Sequence, residues 1–257
     1  MMITSRENKI FKTAMLLKTA KGRNETGMFV IEGVRSVCDA LQKGAKFFCL
    51  IIKDGTRHEI ECDCPVYIFA PKLFDAVSDT VTPQGVMALC YTKKNGLCDV
   101  SESGNCVVMC EALQDPGNIG TIIRTAHAAS AEGVILTKGC CDLYNPKIVR
   151  STMTGIFSVP VVQNVTAEET IDYFRKKGYG IVAGALTEDA VDFYSASLKG
   201  KHLIIIGNEG NGVTKETLLR CDKVLKIPME SSAESLNAAV AGAVMIYEHY
   251  RQNLKNL

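Results

Sequence analysis

No run of residues in this chain is both long enough and apolar enough to cross a bilayer. The longest stretch without Asp, Glu, Lys or Arg is the 17 residues from Ser151 to Ala167, and Thr, Ser, Gln, Asn and a proline interrupt it. The first residues, Met1-Met-Ile-Thr-Ser-Arg6-Glu7-Asn-Lys9, carry charges where a secretory signal has its apolar region, so a cytoplasmic protein is expected. Metal-ligand spacing is also missing. The 11 cysteines are an odd number; Cys62 and Cys64 form a C-x-C and Cys140 and Cys141 are adjacent. Neither has a second pair at zinc spacing, and the four histidines are scattered, so no metal is expected. Cys49, Cys90, Cys106 and Cys110 lie in apolar runs and read as reduced, buried thiols. Excess charge is absent as well: a net +1 does not announce a nucleic-acid partner. There is no internal repeat and no low-complexity tract.

What is present is a globular composition with a local charge bias. The apolar fraction of 47% in 257 residues is enough for one large or two modest cores. Residues 1–23 hold Arg6, Lys9, Lys12, Lys18, Lys21 and Arg23 against a single Glu7, a local surplus that fits a phosphate-binding patch or a solvated helix face. Ile10, Phe11, Ala14 and Leu17 share one side of an amphipathic helix over 5–18. Strands are predicted at 28–31, 47–52, 66–69 and 85–91, with a helix at 34–41, giving a small α/β unit over residues 1–95. Residues 96–104 are polar and contain glycine, and read as a linker. Residues 105–257 then alternate strands with helices. Strands are expected near 106–110, 133–137, 158–162, 179–183, 202–206 and 224–227, and helices near 119–131, 167–177 and 235–253. Apolar strands interleaved with helices indicate a mostly parallel sheet covered on both faces.

Three blocks place small or polar residues where strands end, which is where open α/β sheets bind ligands. The first is Asp115-Pro-Gly-Asn118-Ile-Gly120, leading into a helix with Thr121, Arg124 and His127. Asn118 could cap that helix. Arg124, one turn in, could hold a phosphate with its guanidinium fork, and His127 reads as a packing residue. The second is Gly207-Asn-Glu209-Gly-Asn-Gly212, whose glycine spacing is neither a dinucleotide fingerprint nor a P-loop. Its glycines suit positive φ or close approach of backbone to a ligand. The third is Ile227-Pro-Met followed by Ser235-Leu236-Asn237, where Ser232 or Ser235 could cap the last helix.

In this order, the three blocks resemble the motifs of the SpoU (TrmH-like) family of RNA ribose 2′-O-methyltransferases, members of the SPOUT superfamily. Glu32-Gly33-Val-Arg35 and Thr82-Pro-Gln-Gly85-Val likewise resemble the substrate-binding domain that precedes the catalytic domain in many members, related to a fold of ribosomal proteins that bind structured RNA. The resemblance implies a parallel-sheet α/β catalytic domain with a C-terminal deep trefoil knot involving the segments around 207–212 and 227–240. A small α/β RNA-binding domain would precede it. It implies homodimers and S-adenosyl-L-methionine as cofactor, with Gly207, Ile227, Leu236, Ala185 and Gly212 around it. Arg124 matches the family's catalytic arginine; a guanidinium gives up its proton too reluctantly to serve easily as a base, which makes orientation of the ribose hydroxyl a better role than proton removal. Asn118 and Ser235 would hold that arginine and the ribose, and Asn237 and Glu209 would shape the loops. The implied substrate is RNA, with 23S rRNA favoured by the two-domain layout; tRNA is the alternative. A non-catalytic ribosome-assembly factor on the same fold would be expected to lose Arg124, Asn118 or the Ser235-Leu-Asn237 block, and none is lost.

Overall fold

The computed structural model describes residues 2–100, 104–230, 232 and 234–254. Residues 101–103 of the expected linker, and Ser231 and Ala233 of the third block, lie outside that set. In chain order the elements are β1 Met2–Ile3, α1 Lys9–Leu16, α2 Ala20–Thr26, β2 Met28–Glu32, α3 Val34–Gln42, β3 Phe47–Lys53, β4 Val66–Phe69, α4 Pro71–Val77 and β5 Val86–Tyr91. They continue with β6 Cys106–Cys110, α5 Pro116–Ala128, β7 Gly133–Thr137, α6 Pro146–Ser151, β8 Val161–Val165, α7 Ala167–Lys176 and β9 Gly180–Gly184. The last are β10 Val191–Asp192, β11 His202–Ile206, α8 Lys215–Leu218, β12 Lys223–Lys226 and α9 Ala238–Asn253. The chain forms two units, Met1–Lys93 with Asp142–Phe157 and Lys94–Cys141 with Ser158–Leu257. The sequence-based division at 95 and 105 did not foresee the grouping of 142–157 with the first unit.

The first unit is built on a mixed sheet of order β1-β4-β3-β5-β2. Phe11 and Ala14 from α1, Leu17 at its C-terminal cap, and Leu73, Phe74 and Val77 from α4 cover one of its faces, packing on Cys49, Ile51, Met87 and Leu89. The expected helix over 5–18 is shorter and is followed by a second one. α1 is capped by the Asn8 side chain, which accepts from Ile10 N at 2.8 Å, and the Thr19 side chain opens α2 by accepting from Gly22 N at 3.0 Å. The turn between them needs a glycine at 22, where a Cβ would sit 2.1 Å from the Leu16 carbonyl oxygen. Arg23, counted from sequence among the basic surface residues, is only 4% exposed and paired with Asp142 at 2.7 Å. Its guanidinium also donates to the Leu17 and Lys18 carbonyls at 2.9 and 3.1 Å. The sequence pairs noted at 32–35 and 82–85 do local work. Glu32 accepts from Thr80 Oγ1 at 2.6 Å and Asp79 N at 3.1 Å, and Gln84 Oε1 accepts from Val34 N at 3.0 Å, at the start of α3.

The second unit contains a seven-stranded sheet of order β10-β12-β9-β11-β6-β7-β8. Every neighbouring pair in it is parallel. Val107, Val108, Met109 and Cys110 of β6 are fully buried, as the continuous apolar run anticipates for a strand covered on both faces. Ile171 and Phe174 of α7 pack among Val107, Met109, Ile135, Ile181 and Leu203. α5 and α9 pack on each other, and α9 also lies against β6, β9 and β11. It lies close at Gly242, where a Cβ would meet Ile206 Cδ1 at 2.5 Å.

Most boundaries fall within a residue or so of the sequence reading, and three larger or capping differences have a local cause. β8 begins at Val161 rather than 158, because Pro160 has no N–H to give the ladder and contributes only its carbonyl, to Val134 N at 2.9 Å. α5 begins at Pro116, which suits the first helical position. Its cap is Asp115, whose Oδ1 accepts from Asn118 N at 3.0 Å, so Asn118 is not the cap. α9 begins at Ala238 and is capped by Asn237, which accepts from Ala239 N at 2.9 Å and Val240 N at 3.3 Å; neither Ser232 nor Ser235 caps it. The two-residue strand β10 was not anticipated.

Candidate active site

Running from β6 through β7 to β8, the sheet grows outward in one direction; β11, β9 and β12 lie on the other side of β6. The carboxyl ends of β6 and β11 therefore meet at a switch in strand order, where α/β sheets open a crevice for ligands. Beside that switch, at the carboxyl ends of β9, β11 and β12, lies a cavity of about 450 Å³, within the roughly 300–1,000 Å³ range of small-molecule sites. Gly184 at the end of β9 and Ala185 after it, the 207–213 loop after β11, and Ile227 and Met229 after β12 form its walls. Leu236 and the first turns of α9 complete it. Ala185, Gly207, Gly212, Ile227 and Leu236, the five residues matched to the cofactor, all line it, as do Glu209 and Ser235. Arg124, Asn118 and Asn237 are not among its lining residues.

The 207–213 loop is held from within and from outside. Asn208 N donates to the Gly212 carbonyl at 3.0 Å, and Gly212 N donates back to the Asn208 carbonyl at 2.9 Å. Asn208 Oδ1 accepts from Gly210 N at 3.0 Å and Asn211 N at 3.1 Å, while its Nδ2 donates to the Ala112 carbonyl at 2.8 Å. Asn208 stands two residues before Gly210, and an Asn in that place is a turn-forming signal. Gly207 is required because the loop folds onto itself: a Cβ there would lie 2.2 Å from Gly212 C and 2.3 Å from Val213 N. The close approach expected against a ligand is thus first an approach of the loop to itself.

A chain of side chains links the three sequence blocks. Glu209 accepts from Asp115 N at 3.0 Å, Gln114 N at 3.2 Å and Asn118 Nδ2 at 2.9 Å. Asn118 Oδ1 in turn accepts from Asn237 Nδ2 at 3.0 Å. Burial pushes the Glu209 carboxyl up, but the hydrogen bonds from Asn118 and the backbone N–H groups outweigh it and hold it below the usual carboxylate value. Asn118 is thus committed at both ends of its amide to the loops, rather than to Arg124 as the resemblance implied. Arg124 itself is exposed on α5 and forms no hydrogen bond or ion pair with the described residues. His127, expected to pack, is exposed on the same helix. The Ser235 side chain, exposed at the cavity, makes no hydrogen bond to the described residues. Glu111, which the sequence reading passed over, directly follows β6; the residue is 7% exposed, and its carboxylate accepts from Thr214 and Thr217 at α8. No group of three or more His, Cys, Asp or Glu among the described residues is arranged to hold a metal ion.

A parallel α/β sheet with a small-molecule cavity at its carboxyl edge, walled by a self-closed glycine loop, is the architecture of the cofactor-binding α/β class. The model of the SpoU rRNA Methylase family matches residues 105–247, and that of the MRM3-like substrate binding domain matches residues 8–88. The 23S rRNA (guanosine(2553)-2'-O)-methyltransferase RlmP of Bacillus subtilis is 34% identical, over 95% of this chain and 97% of its own length. An AdoMet-bound rRNA methyltransferase from Sinorhizobium meliloti superposes with a TM-score of 0.91 at 31% identity, covering 99% of each chain. The SpoU methyltransferase AviRb from Streptomyces viridochromogenes, in complex with AdoMet, superposes with a TM-score of 0.86 at 29% identity, over 96% of this chain and 98% of that one. The chain belongs to the SpoU rRNA methylase family.

Proposed function

We propose that this protein transfers the methyl group of S-adenosylmethionine to a ribose 2′-hydroxyl of 23S rRNA, with the cofactor in the cavity at the carboxyl edge of the seven-stranded sheet. One observation carries the reading: the five residues matched to the cofactor, two from each of the second and third blocks and Ala185 just after β9, line one cavity of about 450 Å³. The lining suits the molecule. Leu186, Ile227, Met229 and Leu236 offer apolar surface, and Gly207, Gly212 and Ala185 keep backbone groups accessible beside it. The bound cofactor supplies an electrophilic methyl group on a sulfonium leaving group.

The residues of the chain supply placement. Alignment of reacting groups is worth roughly 7–11 kcal/mol, whereas a general base adds about 10²–10⁴-fold. Arg124 offers its guanidinium fork to a phosphate of the RNA and orients the hydroxyl. Ser235 offers a hydroxyl at the cavity for the ribose. Glu209, Asn118 and Asn237 keep the three loops in register around both. The substrate RNA is gripped by residues 1–95, and methyl transfer belongs to 105–257. With Arg23 buried, the basic surface of the first helices rests on residues such as Lys12 and Lys21, at 57% and 83% side-chain exposure, and on Arg35 at 82%. A second copy of the chain covers α9, whose Val240 and Tyr247 are 50% and 48% exposed. The segments around 207–212 and 227–240 form the trefoil knot of the family. The protein works in the cytoplasm, on ribosomal RNA.

The test is transfer of label from S-adenosylmethionine to unmodified 23S rRNA, 16S rRNA and bulk tRNA, with mapping of the 2′-O-methyl position. One labelled ribose in 23S rRNA is the expected result. Label confined to tRNA, or none despite cofactor binding, overturns the assignment. Arg124→Ala is expected to lower transfer at least 100-fold while calorimetry gives an S-adenosylmethionine affinity within about twofold of the parent. Loss of that affinity would remove Arg124 from the substrate side.

A further inference from the structure

Glu111 stands at the end of β6, where its own N–H still continues the sheet by donating to the Ile206 carbonyl at 2.8 Å. Its side chain is nearly fully buried, and three donors converge on its two oxygens. Thr214 N donates to Oε2 at 3.0 Å, Thr214 Oγ1 to Oε1 at 2.9 Å, and Thr217 Oγ1 to Oε1 at 2.5 Å. These donors come from the start of α8, immediately after the 207–213 loop. Thr214 is also the cap of α8, its Oγ1 accepting from Thr217 N at 3.3 Å. The residues flanking this knot of bonds, Val213 and Leu218, are walls of the cavity, while Glu111 is not. The loop is thus tied at two places to the same strand-to-helix segment. Asn208 and Glu209 tie its near end to residues 112–118, and Glu111 ties its far end to β6.

From this geometry we infer that Glu111 is a positioning residue for S-adenosylmethionine: by clamping Thr214 and Thr217 it holds the Val213–Leu218 wall at the spacing the cofactor needs. The inference rests on the reading that the cavity is the cofactor site. The chemistry of the clamp is specific. A carboxylate offers only acceptors, matching three donors; an amide of the same shape turns an NH₂ group toward at least one of them and leaves a buried donor unsatisfied. A wall that relaxes before binding must be re-ordered when the cofactor enters, so the cost falls on cofactor affinity and not on the transfer step.

The experiment measures S-adenosylmethionine Kd by calorimetry, and KM and kcat on unmodified 23S rRNA, for the full chain. Glu111→Gln is expected to raise Kd and KM for the cofactor about tenfold, with kcat at saturating cofactor within about threefold. Thr217→Val removes one donor and should raise Kd by about threefold, while Thr217→Ser keeps the hydroxyl and should restore the parent value. A folded Glu111→Gln protein with unchanged Kd, or one that loses kcat alone, overturns the inference. If Glu111→Gln does not fold, Thr217→Val decides: a parent-like Kd overturns it. Ala241→Phe, which fills the cavity from α9, separates the two readings. If it abolishes cofactor binding while Glu111→Gln and Thr217→Val retain it, only the clamp fails. If it leaves Kd unchanged, the cavity is not the cofactor site and the clamp falls with it.

Discussion

At the scale of single residues, two arginines of the same sequence type have opposite fates. Arg23 is buried, and its guanidinium satisfies Asp142 and two backbone carbonyls. Arg124 is exposed and unpaired among the described residues. The first is structural. Truncating it leaves Asp142 without its partner and two carbonyls without donors, and breaking such a pair costs about 3–5 kcal/mol when both ions are buried. Asp142 keeps 22% of its side-chain surface in water, which places Arg23→Ala at the lower end, about 3 kcal/mol. Urea unfolding should register that loss with S-adenosylmethionine affinity unchanged; a loss under about 1 kcal/mol would mean water compensates Asp142 and the carbonyls. The second is free to act, which is why Arg124→Ala should change transfer and leave stability alone.

The decisive element is the 207–213 loop. Its glycines have different reasons. Gly212 has φ +67, in the left-handed region, and a Cβ there would meet open space. At Gly207 a Cβ would strike the backbone of residues 212 and 213, which has no rotamer to yield. Gly207→Ala therefore has to open the loop, and the hydrogen bonds between Asn208 and Gly212 go with it. We expect this variant to lose S-adenosylmethionine binding by more than tenfold while the melting temperature drops by only a few degrees, since the sheet beneath is untouched. Gly212→Ala, strained but not blocked, should lose less. Equal losses at both positions would show that the loop's self-contact at Gly207 does not set the requirement.

For the molecule as a whole, pH stability has a local origin in the second unit. His249 on α9 is 2% exposed, with its ring 5.4 Å from that of His202 at the start of β11 and its Nε2 3.1 Å from the Gly200 carbonyl. Burial, opposed by the bond to Gly200 and reinforced by His202, depresses its pKa from 6.5 to about 4. Between those values the unfolded chain binds a proton that the folded chain does not. This group therefore contributes nothing to pH dependence above about 6.5, and stability falls as pH drops towards about 4, by at most about 3 kcal/mol. Burial likewise lowers the His202 pKa, so the pair acts in one direction. Comparing denaturant midpoints at pH 7 and pH 4.5 should show a smaller drop for His249→Gln than for the parent; an equal drop would locate the acid sensitivity elsewhere.

Much of this was legible in the chain itself. Apolar runs such as His202–Ile206 and Cys106–Cys110 are strands buried on both faces, because every residue of such a run needs an apolar neighbour on one side or the other. The three blocks marked the strand ends, since only small and polar residues suit a backbone that must turn beside a ligand. What local sequence could not carry was who meets whom across 90 to 120 positions. The bonds from Glu209 to Asn118 and from Asn237 to Asn118, the burial of Arg23 by Asp142, and the capture of Thr214 and Thr217 by Glu111 all depend on strand order. Placing β6 beside β11 is a decision of the whole sheet. Residue type and spacing determined which groups the protein owns; the parallel packing of distant strands decided which of them share one site.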